Sequence, residues 1–451
     1  MKVWRAWRHN AEMPLFSQAD PTRDVAIAGG GIAGMAAGLA LARAGWQPVV
    51  YEQAAAFAEV GAGVQLGPNV TRLLREWGLH EGLLACACQP RYLNARRADS
   101  GEVLARLDLH ALGQRYGAPY VSVHRADVHR LLMDAALAQG VRVVPNATVT
   151  RMTTTERAVA EPDPEGEDPP HSCVNVTWTS SSHDDPVELV SPAALRQEHT
   201  AASAWGIVAD GVWSQLRQAL LGDAPPQWSG HLAYRALMPM DALPNALRQS
   251  VRSDEASVWM APDMHLVCYP VSGGQRLNVA CLVEADLPQD VPNVHDWSMQ
   301  KSEAQTRADL DAALRGTGVL LRSLVDACEG WRLWPLYGRA PMQGAHQHAR
   351  GRIALVGDAA HPMLPYLAQG AGMAIEDAHT LAQCLPADAE VDVPAGLRAF
   401  ARTRWSRNAR VQQRAIRNGE VFHAKGLMRW GRDWSLRTLG EGLMDVPWLY
   451  K

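Results

Sequence analysis

Residues 24–53 read DVAIAGGGIAGMAAGLALARAGWQPVVYEQ, and this stretch decides the fold. Val25 to Ala28 form a short apolar run that is typical of a buried strand, and three glycines follow it directly. The next residues are small and apolar with helical periodicity up to Gly45, and QPVVYE then has the composition of a second strand. The order strand, helix, strand predicts a βαβ unit in an α/β protein, in which helices cover a parallel sheet.

The glycine turn between strand and helix is the first candidate binding motif. Gly29, Gly31 and Gly34 form a GxGxxG pattern, and Glu52 follows about twenty residues later, at the end of the second strand. Such glycines let a pyrophosphate approach the backbone at a helix N-terminus, and the acidic side chain accepts hydrogen bonds from ribose. The alternative is a tight turn in a glycine-rich core. Because strand, helix and acid are in register, the pattern indicates a dinucleotide site.

A second candidate segment, RIALVGDAAHPMLPYLAQGAGMAIEDA, occupies residues 352–378. Its strand delivers Asp358 to the carboxyl end of the sheet, where cofactors bind in doubly wound folds and a carboxylate can accept from sugar hydroxyls. Gly370, Ala371 and Gly372 then begin a helix, whose N-terminus favours a negatively charged group. Taken alone, the segment could equally be a capped turn.

Composition excludes several classes of protein. The chain of 451 residues carries 43 Lys plus Arg against 47 Asp plus Glu and has no basic stripe, so nucleic acid is not an expected partner. Its 7 cysteines are scattered without a CxxC pair, which argues against a disulfide framework and a metal site and favours the reducing cytoplasm. Val25 to Ala42 is uncharged, but its glycines and the charges just before it argue against an integral membrane segment.

Periodicity along the rest of the chain predicts a nucleotide-binding domain interrupted by a sheet. An acidic stretch rich in Pro and Ser at residues 159–205 is predicted to be a surface insertion. The predicted parts are an irregular extension at 1–22, a doubly wound, Rossmann-like domain at 23–90, 120–227 and 331–395, an antiparallel sheet domain at 91–119 and 228–330, and C-terminal helices at 396–451.

Three separated segments carry a family resemblance: GGGIAG at 29–34, ADGVWS at 209–214 and VGDAAHP at 356–362. They resemble the three fingerprints of the group A FAD-dependent aromatic hydroxylases, especially the 3-hydroxybenzoate 6-hydroxylase and salicylate hydroxylase branch. The likeness extends from about residue 24 to about residue 420. Val208 departs from it, because the family has glycine before Ala-Asp-Gly.

The resemblance implies that the doubly wound domain binds FAD and that the inserted sheet binds substrate. It also implies NADH or NADPH as a transient co-substrate, and O2 and a small phenolic aromatic acid of the hydroxybenzoate type as substrates. In this family the ring is hydroxylated through a flavin C4a-hydroperoxide. The alternatives are a salicylate-type decarboxylating hydroxylase, a hydroxylase of a pyridine acid, an amine oxidase, or a non-catalytic flavin-binding module. A homodimer is left open.

The same resemblance assigns cofactor contacts residue by residue. Glu52 is expected at the adenosine ribose, Arg125 at the flavin or pyrophosphate, and Asp358 at the ribityl chain. Asp210 is expected to line the flavin and nicotinamide paths, and the loop from Pro365 to Gly372 to border the isoalloxazine ring. On residue chemistry alone, Asp210 is as readily part of a turn and Arg125 a surface ion-pair partner.

Catalytic side chains are expected where the inserted sheet meets the flavin. His231 and Tyr234 lie on its first predicted strand, and a histidine there could deprotonate a phenol. The alternative for His231 is a histidine with a purely structural hydrogen bond. Tyr337 and Arg339, just before the last strand, are further pocket candidates.

Overall fold

The computed structural model of the chain describes residues 21–57, 62–155, 172–181, 196–287, 301–387 and 391–451. The predicted N-terminal extension, apart from its last two residues, lies outside these ranges. So do residues 159–171 and 182–195 of the predicted insertion.

The described strands are numbered in chain order. They are β1 (Asp24–Ala28), β2 (Gln47–Tyr51), β3 (Gly63–Leu66), β4 (Tyr92–Arg97), β5 (Val103–Asp108), β6 (Val121–His124), β7 (Arg142–Val144), β8 (Ala147–Thr155), β9 (Cys173–Ser181), β10 (Arg196–Ser203), β11 (Trp205–Val208), β12 (Gln227–Pro239), β13 (Glu255–Ala261), β14 (Met264–Val271), β15 (Arg276–Glu284), β16 (Arg332–Gly338), β17 (Ala349–Arg350) and β18 (Ile353–Leu355).

The described α-helices are numbered in the same way. They are α1 (Ile32–Arg43), α2 (Pro68–Glu76), α3 (His80–Cys86), α4 (Leu109–Tyr116), α5 (Arg125–Ala138), α6 (Gln215–Leu221), α7 (Asn245–Arg248), α8 (Glu303–Ala313), α9 (Val319–Asp326), α10 (Gly370–Cys384), α11 (Val393–Phe422), α12 (Gly426–Leu439), α13 (Glu441–Met444) and α14 (Pro447–Tyr450). None of them is both long enough and apolar enough to cross a bilayer.

A six-stranded sheet confirms the predicted α/β fold. Its order is β17-β18-β11-β1-β2-β7, and all neighbours are parallel except β17 and β18. Helices α1, α5 and α10 pack on one face, and the three-stranded sheet β10-β9-β8 covers the other. Every residue of β1 is buried, as expected of a central strand covered on both faces.

The second large sheet has seven strands in the order β16-β12-β15-β14-β13-β4-β5. Its pairs are antiparallel apart from β13 and β4, as predicted for the inserted sheet. One face packs on α8 and α9 through a core that includes Leu310 and Leu324, and the other face is turned toward the first sheet. The two sheets therefore frame the space between them.

In two places the strand pairing differs from the predicted domain organisation. β16 pairs with β12 in the seven-stranded sheet, although residues 331–395 were predicted to belong to the nucleotide-binding domain. β9 and β10 are strands of a regular sheet, although residues 159–205 were predicted to be a surface insertion. Alternation shows that a segment is a strand but not which sheet it joins, because pairing partners are distant in sequence. The remaining domain boundaries stay predictions.

A buried ionic network holds the segment after β18 in place. Asp377 accepts hydrogen bonds from Arg404 Nε at 2.8 Å and from Asn408 at 3.0 Å, and its Oδ2 lies 2.5 Å from His361 Nε2. His361 and Asp377 are both fully buried. Interior charges have to be paired and hydrogen-bonded, and here α10 and α11 supply the partners. His361 is thus a structural residue of the segment that carries Asp358.

Candidate functional site

A large cavity of about 1490 Å³ lies between the two sheets. Its walls include the carboxyl ends of β1 and β2, the face of β12 to β15, and the helices α11 and α12. Ligand pockets for single small molecules are commonly about 300–1,000 Å³, so this space accommodates a dinucleotide together with a small ligand. Of the described chain, this is where the predicted cofactor residues come together.

The glycine turn forms one end of the cavity. Gly31, the residue before α1, lines it, and a Cβ placed on Gly31 would meet no atom within 4 Å. Gly29 also lines it, with φ +103°, and its Cβ would lie 2.4 Å from the carbonyl oxygen of Ala209. Gly34 does not line it, because its Cβ position lies 1.9 Å from the carbonyl oxygen of Gly29. Gly34 therefore serves close packing of helix on strand, while Gly31 leaves room for a ligand.

Glu52 stands at the end of β2 and shapes the turn. One carboxylate oxygen accepts from the backbone N–H of Gly30 at 2.7 Å, and the other accepts from that of Ala54 at 2.9 Å. A carboxylate has about four lone-pair sites, so acceptor capacity remains for ribose hydroxyls. Glu52 lines the cavity, and its contact with the adenosine ribose stays a prediction.

Asp358 and the N-terminus of α10 form another part of the cavity wall. Asp358 opens onto the cavity, but the surrounding protein desolvates it, and this burial raises the pKa of the carboxyl. A Cβ on Gly370 would lie 4.0 Å from Asp358 Oδ1, so the carboxylate faces the start of the helix. Pro365, Gly370 and Ala371 line the cavity. Gly372 does not, because it packs against Val70.

Arg125 and Asp210 complete the predicted cofactor set, and both line the cavity. The nearby carboxylate of Asp127 pairs with Arg130 at 2.5 Å. Gly211 has φ +86° and its carbonyl accepts from Ser214, so the Asp210 segment is a turn as well as a cavity wall. Burial raises the pKa of Asp210 to about 6, which makes it a weak acid inside the site.

The seven-stranded sheet supplies the substrate-side wall through alternate residues of its strands. These side chains are Trp334, Arg235, Ala280, Leu282, His265 and Tyr269. The Arg235 guanidinium lies 3.9 Å from the centre of the Trp334 ring, and burial lowers the pKa of Arg235 to about 10. Its Nε has no hydrogen-bond partner among the described residues, and none of their carboxylates pairs with it. The wall thus presents a desolvated cation that lacks an anion.

The four predicted catalytic residues do not line the cavity. Side chains along a strand alternate between its two faces, and Tyr234 lies three residues after His231, so it points to the opposite face of β12. There its hydroxyl donates to Asp309 at 2.8 Å. Tyr337 packs on Trp213, with ring centres 4.6 Å apart, and Arg339 pairs with Asp223 at 3.3 Å. For Tyr234, Tyr337 and Arg339 the predicted pocket position is therefore wrong.

His231 lies behind the cavity wall. Its Nδ1 is 2.8 Å from the carbonyl oxygen of Ser229, and its ring packs at 5.6 Å from Tyr366, which does line the cavity. His265 on β14 is the histidine that lines the space. The sequence analysis assigned no role to His265, although its alternation with Val267 and Tyr269 along the strand places the three side chains on one face.

These residues fit an FAD. The open space at Gly31 before a helix, the carboxylates Glu52 and Asp358 at the carboxyl ends of strands, and the second helix N-terminus at Gly370 match the needs of pyrophosphate, sugar hydroxyls and an electron-accepting ring. Gly29 adopts its φ of +103° without the steric cost that a side chain would bring, so glycine there permits the turn that opens this space.

Comparisons with known proteins agree with this fit. The family described as "FAD binding domain" matches residues 22–168 and 182–415. The chain is 35% identical over 430 residues to a 3-amino-4-hydroxybenzoate 2-monooxygenase of Streptomyces platensis, covering 94% of this chain and 95% of the relative. It is 31% identical over 430 residues to a 3-hydroxybenzoate 6-hydroxylase of Polaromonas naphthalenivorans, again covering 94% of this chain and 95% of the relative.

A solved salicylate hydroxylase substrate complex has a TM-score of 0.73 to this chain at 24% identity, covering 95% of both chains, and this likeness shows the fold alone. The family match spans most of the chain, and the two relatives align with it almost end to end. The protein therefore belongs to the FAD-binding family of flavin-dependent aromatic hydroxylases, and it is a FAD-dependent monooxygenase.

Proposed function

We propose that this monooxygenase hydroxylates a small phenolic aromatic acid of the hydroxybenzoate type, with NADH or NADPH and O2 as co-substrates. When bound and reduced, FAD supplies the activation of O2. The observation that carries the substrate class is Arg235, a desolvated cation without a carboxylate partner among the described residues, in the cavity wall beside the Trp334 ring. Buried charges require a counter-charge, and an aromatic carboxylate supplies one together with a ring that packs on the wall.

Arg235 and His265 are spaced to hold the two ends of such a ligand. β15 separates their strands, and His265 lies two residues along β14 from Val267, which is level with Arg235. Their Cα atoms are therefore offset by about 10 Å across the sheet and about 7 Å along it. Ala280 and Leu282 lie between them and leave space for a benzene ring. We assign the carboxylate to Arg235 and the phenol hydroxyl to His265.

In this arrangement His265 accepts the phenol proton and so makes the ring a stronger nucleophile. Tyr366 and Phe422 pack around the His265 ring at 5.2 and 5.1 Å and exclude water from that side. Exclusion of water matters, because leakage in a flavin monooxygenase releases H2O2 instead of product. The role that sequence analysis gave to His231 passes to the histidine that lines the cavity.

The experiment that tests the proposed function is a screen of NADH and NADPH oxidation with 3-hydroxybenzoate, 3-amino-4-hydroxybenzoate, salicylate and hydroxynicotinates, with product identified by mass spectrometry. At least one hydroxybenzoate should stimulate oxidation and be converted to a product one oxygen atom heavier. Product that has also lost CO2 would favour the salicylate-type alternative, and conversion of hydroxynicotinates alone would favour a pyridine acid. Oxidation that no aromatic acid stimulates would contradict the proposal.

The Arg235→Met variant is expected to bind 3-hydroxybenzoate at least about 30-fold more weakly, because losing a buried charge pair costs roughly 2 kcal/mol or more. Methionine keeps the apolar stem that packs on the sheet. The Kd follows from titration of the flavin absorbance of the oxidised enzyme. 3-Hydroxybenzyl alcohol, which lacks the carboxylate, is the matched ligand. Equal losses for both ligands would show that Arg235 acts through packing rather than charge.

We also propose that the enzyme works in the cytoplasm as a homodimer. All seven cysteines are free, which fits the reducing environment of the cytoplasm. Trp430 and Trp434 form an exposed apolar face on α12, with 69% and 56% of their surfaces accessible. Exposed apolar surface of this kind marks association sites, and we assign a second copy to it. Sedimentation should give a dimer that Trp430→Glu converts to a monomer; a monomeric wild type would contradict the assignment.

A further inference from the structure

A row of hydrogen-bonded side chains leads from the cavity to the surface. His265 lines the cavity and is itself 1% exposed. Its Nδ1 lies 2.7 Å from Nε2 of His423, and Nδ1 of His423 lies 3.0 Å from a carboxylate oxygen of Glu284. The side chain of His423 is 2% exposed, whereas that of Glu284 is 42% exposed. Three side chains thus connect the substrate-side wall with solvent without a break.

The chemistry of Glu284 sets the direction of every hydrogen bond in this row. An ionised carboxylate only accepts, so Nδ1 of His423 carries the hydrogen. A neutral imidazole has one donor and one acceptor nitrogen, so Nε2 of His423 accepts and Nδ1 of His265 donates. Nε2 of His265 is then an acceptor, which is the state needed to take a proton from a phenol.

The surroundings keep both imidazoles neutral. Burial, together with the neighbouring His423 and His231, holds the pKa of His265 well below its usual range. Burial and His231 lower the pKa of His423 to about 4, against the opposing effect of Asp263. An imidazole that resists protonation is a poor final acceptor for a phenol proton. The proton therefore requires a further acceptor beyond the two rings.

The outer end of the row is suited to receive it. Burial and the Asp263 carboxylate raise the pKa of Glu284, which makes it a better proton acceptor than an isolated glutamate. Asp263 is itself paired with Lys425 at the surface, and Arg432 is the remaining cation that acts on His423. His231, His423 and Glu284 also lie close enough to hold a metal ion, but both His423 nitrogens are already engaged in the row.

We propose that His265, His423 and Glu284 form a proton relay that carries the phenol proton of the substrate from the cavity to solvent. This inference rests on the proposed function. The phenol O–H bond breaks as an N–H bond forms at Nε2 of His265. The Nδ1 proton of His265 passes to Nε2 of His423, and the Nδ1 proton of His423 passes to Glu284. One proton leaves the phenol, one reaches the carboxylate, and both rings end neutral with their hydrogens on Nε2. His423 and Glu284 act through His265 and do not touch the substrate.

The first test needs no substrate. Nitrogen-15 NMR of histidine-labelled, FAD-loaded enzyme at pH 8 should show His265 and His423 as neutral rings with the hydrogen on Nδ1. His265→Gln and His423→Gln assign the two signals. In Glu284→Gln, the preference of His423 for this tautomer should weaken, because an amide can donate as well as accept. Hydrogen on Nε2 of either ring in the resting wild type would overturn the relay, whatever the enzyme hydroxylates.

The second test follows the proton. A pH jump from 6 to 8.5 on the oxidised enzyme with bound 3-hydroxybenzoate should produce the phenolate absorbance. In Glu284→Gln and His423→Gln this should appear at least about tenfold more slowly, in line with the loss of one proton-transfer group. Glu284→Asp should recover part of the rate, and Glu420→Gln, an exposed glutamate on α11, is the matched control. Unchanged rates in both variants would overturn the relay. If the wild type binds none of the phenolic acids, the proposed function fails instead, and the NMR result alone decides the relay.

Discussion

Replacing Gly31 with valine is expected to give a folded protein that binds FAD much more weakly than the wild type. Gly31 has φ −69° and ψ −172°, an extended conformation that valine adopts without strain, and its Cβ position is clear of atoms for 4 Å. The added methyl groups would therefore not disturb the fold but would occupy the space in front of α1 where a pyrophosphate contacts the helix N-terminus. Overpacking of this kind costs about 1–3 kcal/mol, so FAD binding should weaken by up to on the order of 10²-fold.

Gly29→Ala is the matched control for this prediction. Gly29 has φ +103°, and a Cβ there would lie 2.4 Å from the Ala209 carbonyl oxygen, so the substitution should lower thermal stability even without FAD. Apo-protein melting by circular dichroism and visible flavin absorbance separate the two effects. A Gly31→Val protein that bound FAD with the same Kd as the wild type would show that the pyrophosphate lies elsewhere.

The cofactor half of the site is predictable from the sequence because its determinants are local. The glycine turn, Glu52 at the end of β2, and Asp358 at the end of β18 each follow a recognisable strand by a fixed few residues. Parallel strands place their carboxyl ends at one edge, so residues far apart in the chain converge without further information. The same logic gave Gly34 and Gly372 a cofactor role, whereas both meet other protein atoms and serve packing.

The substrate half depends on pairing and parity, which are not local. The prediction for Tyr234 depended on its nearness to His231 in sequence. In a strand, however, a shift of one residue moves a side chain to the other face of the sheet. Arg235, the next residue, faces the cavity. His423 directly follows the last residue of α11. The sequence of this region does not indicate that His423 contacts β14 and β15. Contacts of this kind appear only once the sheets and helices are assembled.

His265→Asn is expected to slow hydroxylation by on the order of 10² to 10⁴, because a general base of comparable reach is lost. Reduction of the substrate-bound flavin by NADH should stay near the wild-type rate, since His265 is proposed to contact the phenol, whereas the nicotinamide path is assigned to Asp210. NADH consumed without product should appear as H2O2. Single-turnover mixing of the reduced enzyme with O2, with product and peroxide measured separately, distinguishes the lost step from lost binding.

His231→Asn is the comparison that decides between the two histidines. Tyr366 separates His231 from the cavity, and Nδ1 of His231 already contacts the Ser229 carbonyl oxygen. Loss of His231 should therefore affect hydroxylation only indirectly, through packing and through the electrostatic effect of His231 on His265 and His423. A change of less than about tenfold is expected, the range of a modest loss of packing or charge interaction. If His231→Asn instead uncoupled NADH oxidation from hydroxylation while His265→Asn kept normal coupling, the base would be His231, and the cavity would have to rearrange around Tyr366 when substrate binds. Because the two substitutions are chemically identical and lie on β12 and β14 of the same sheet, with β15 between them, their difference reports position alone.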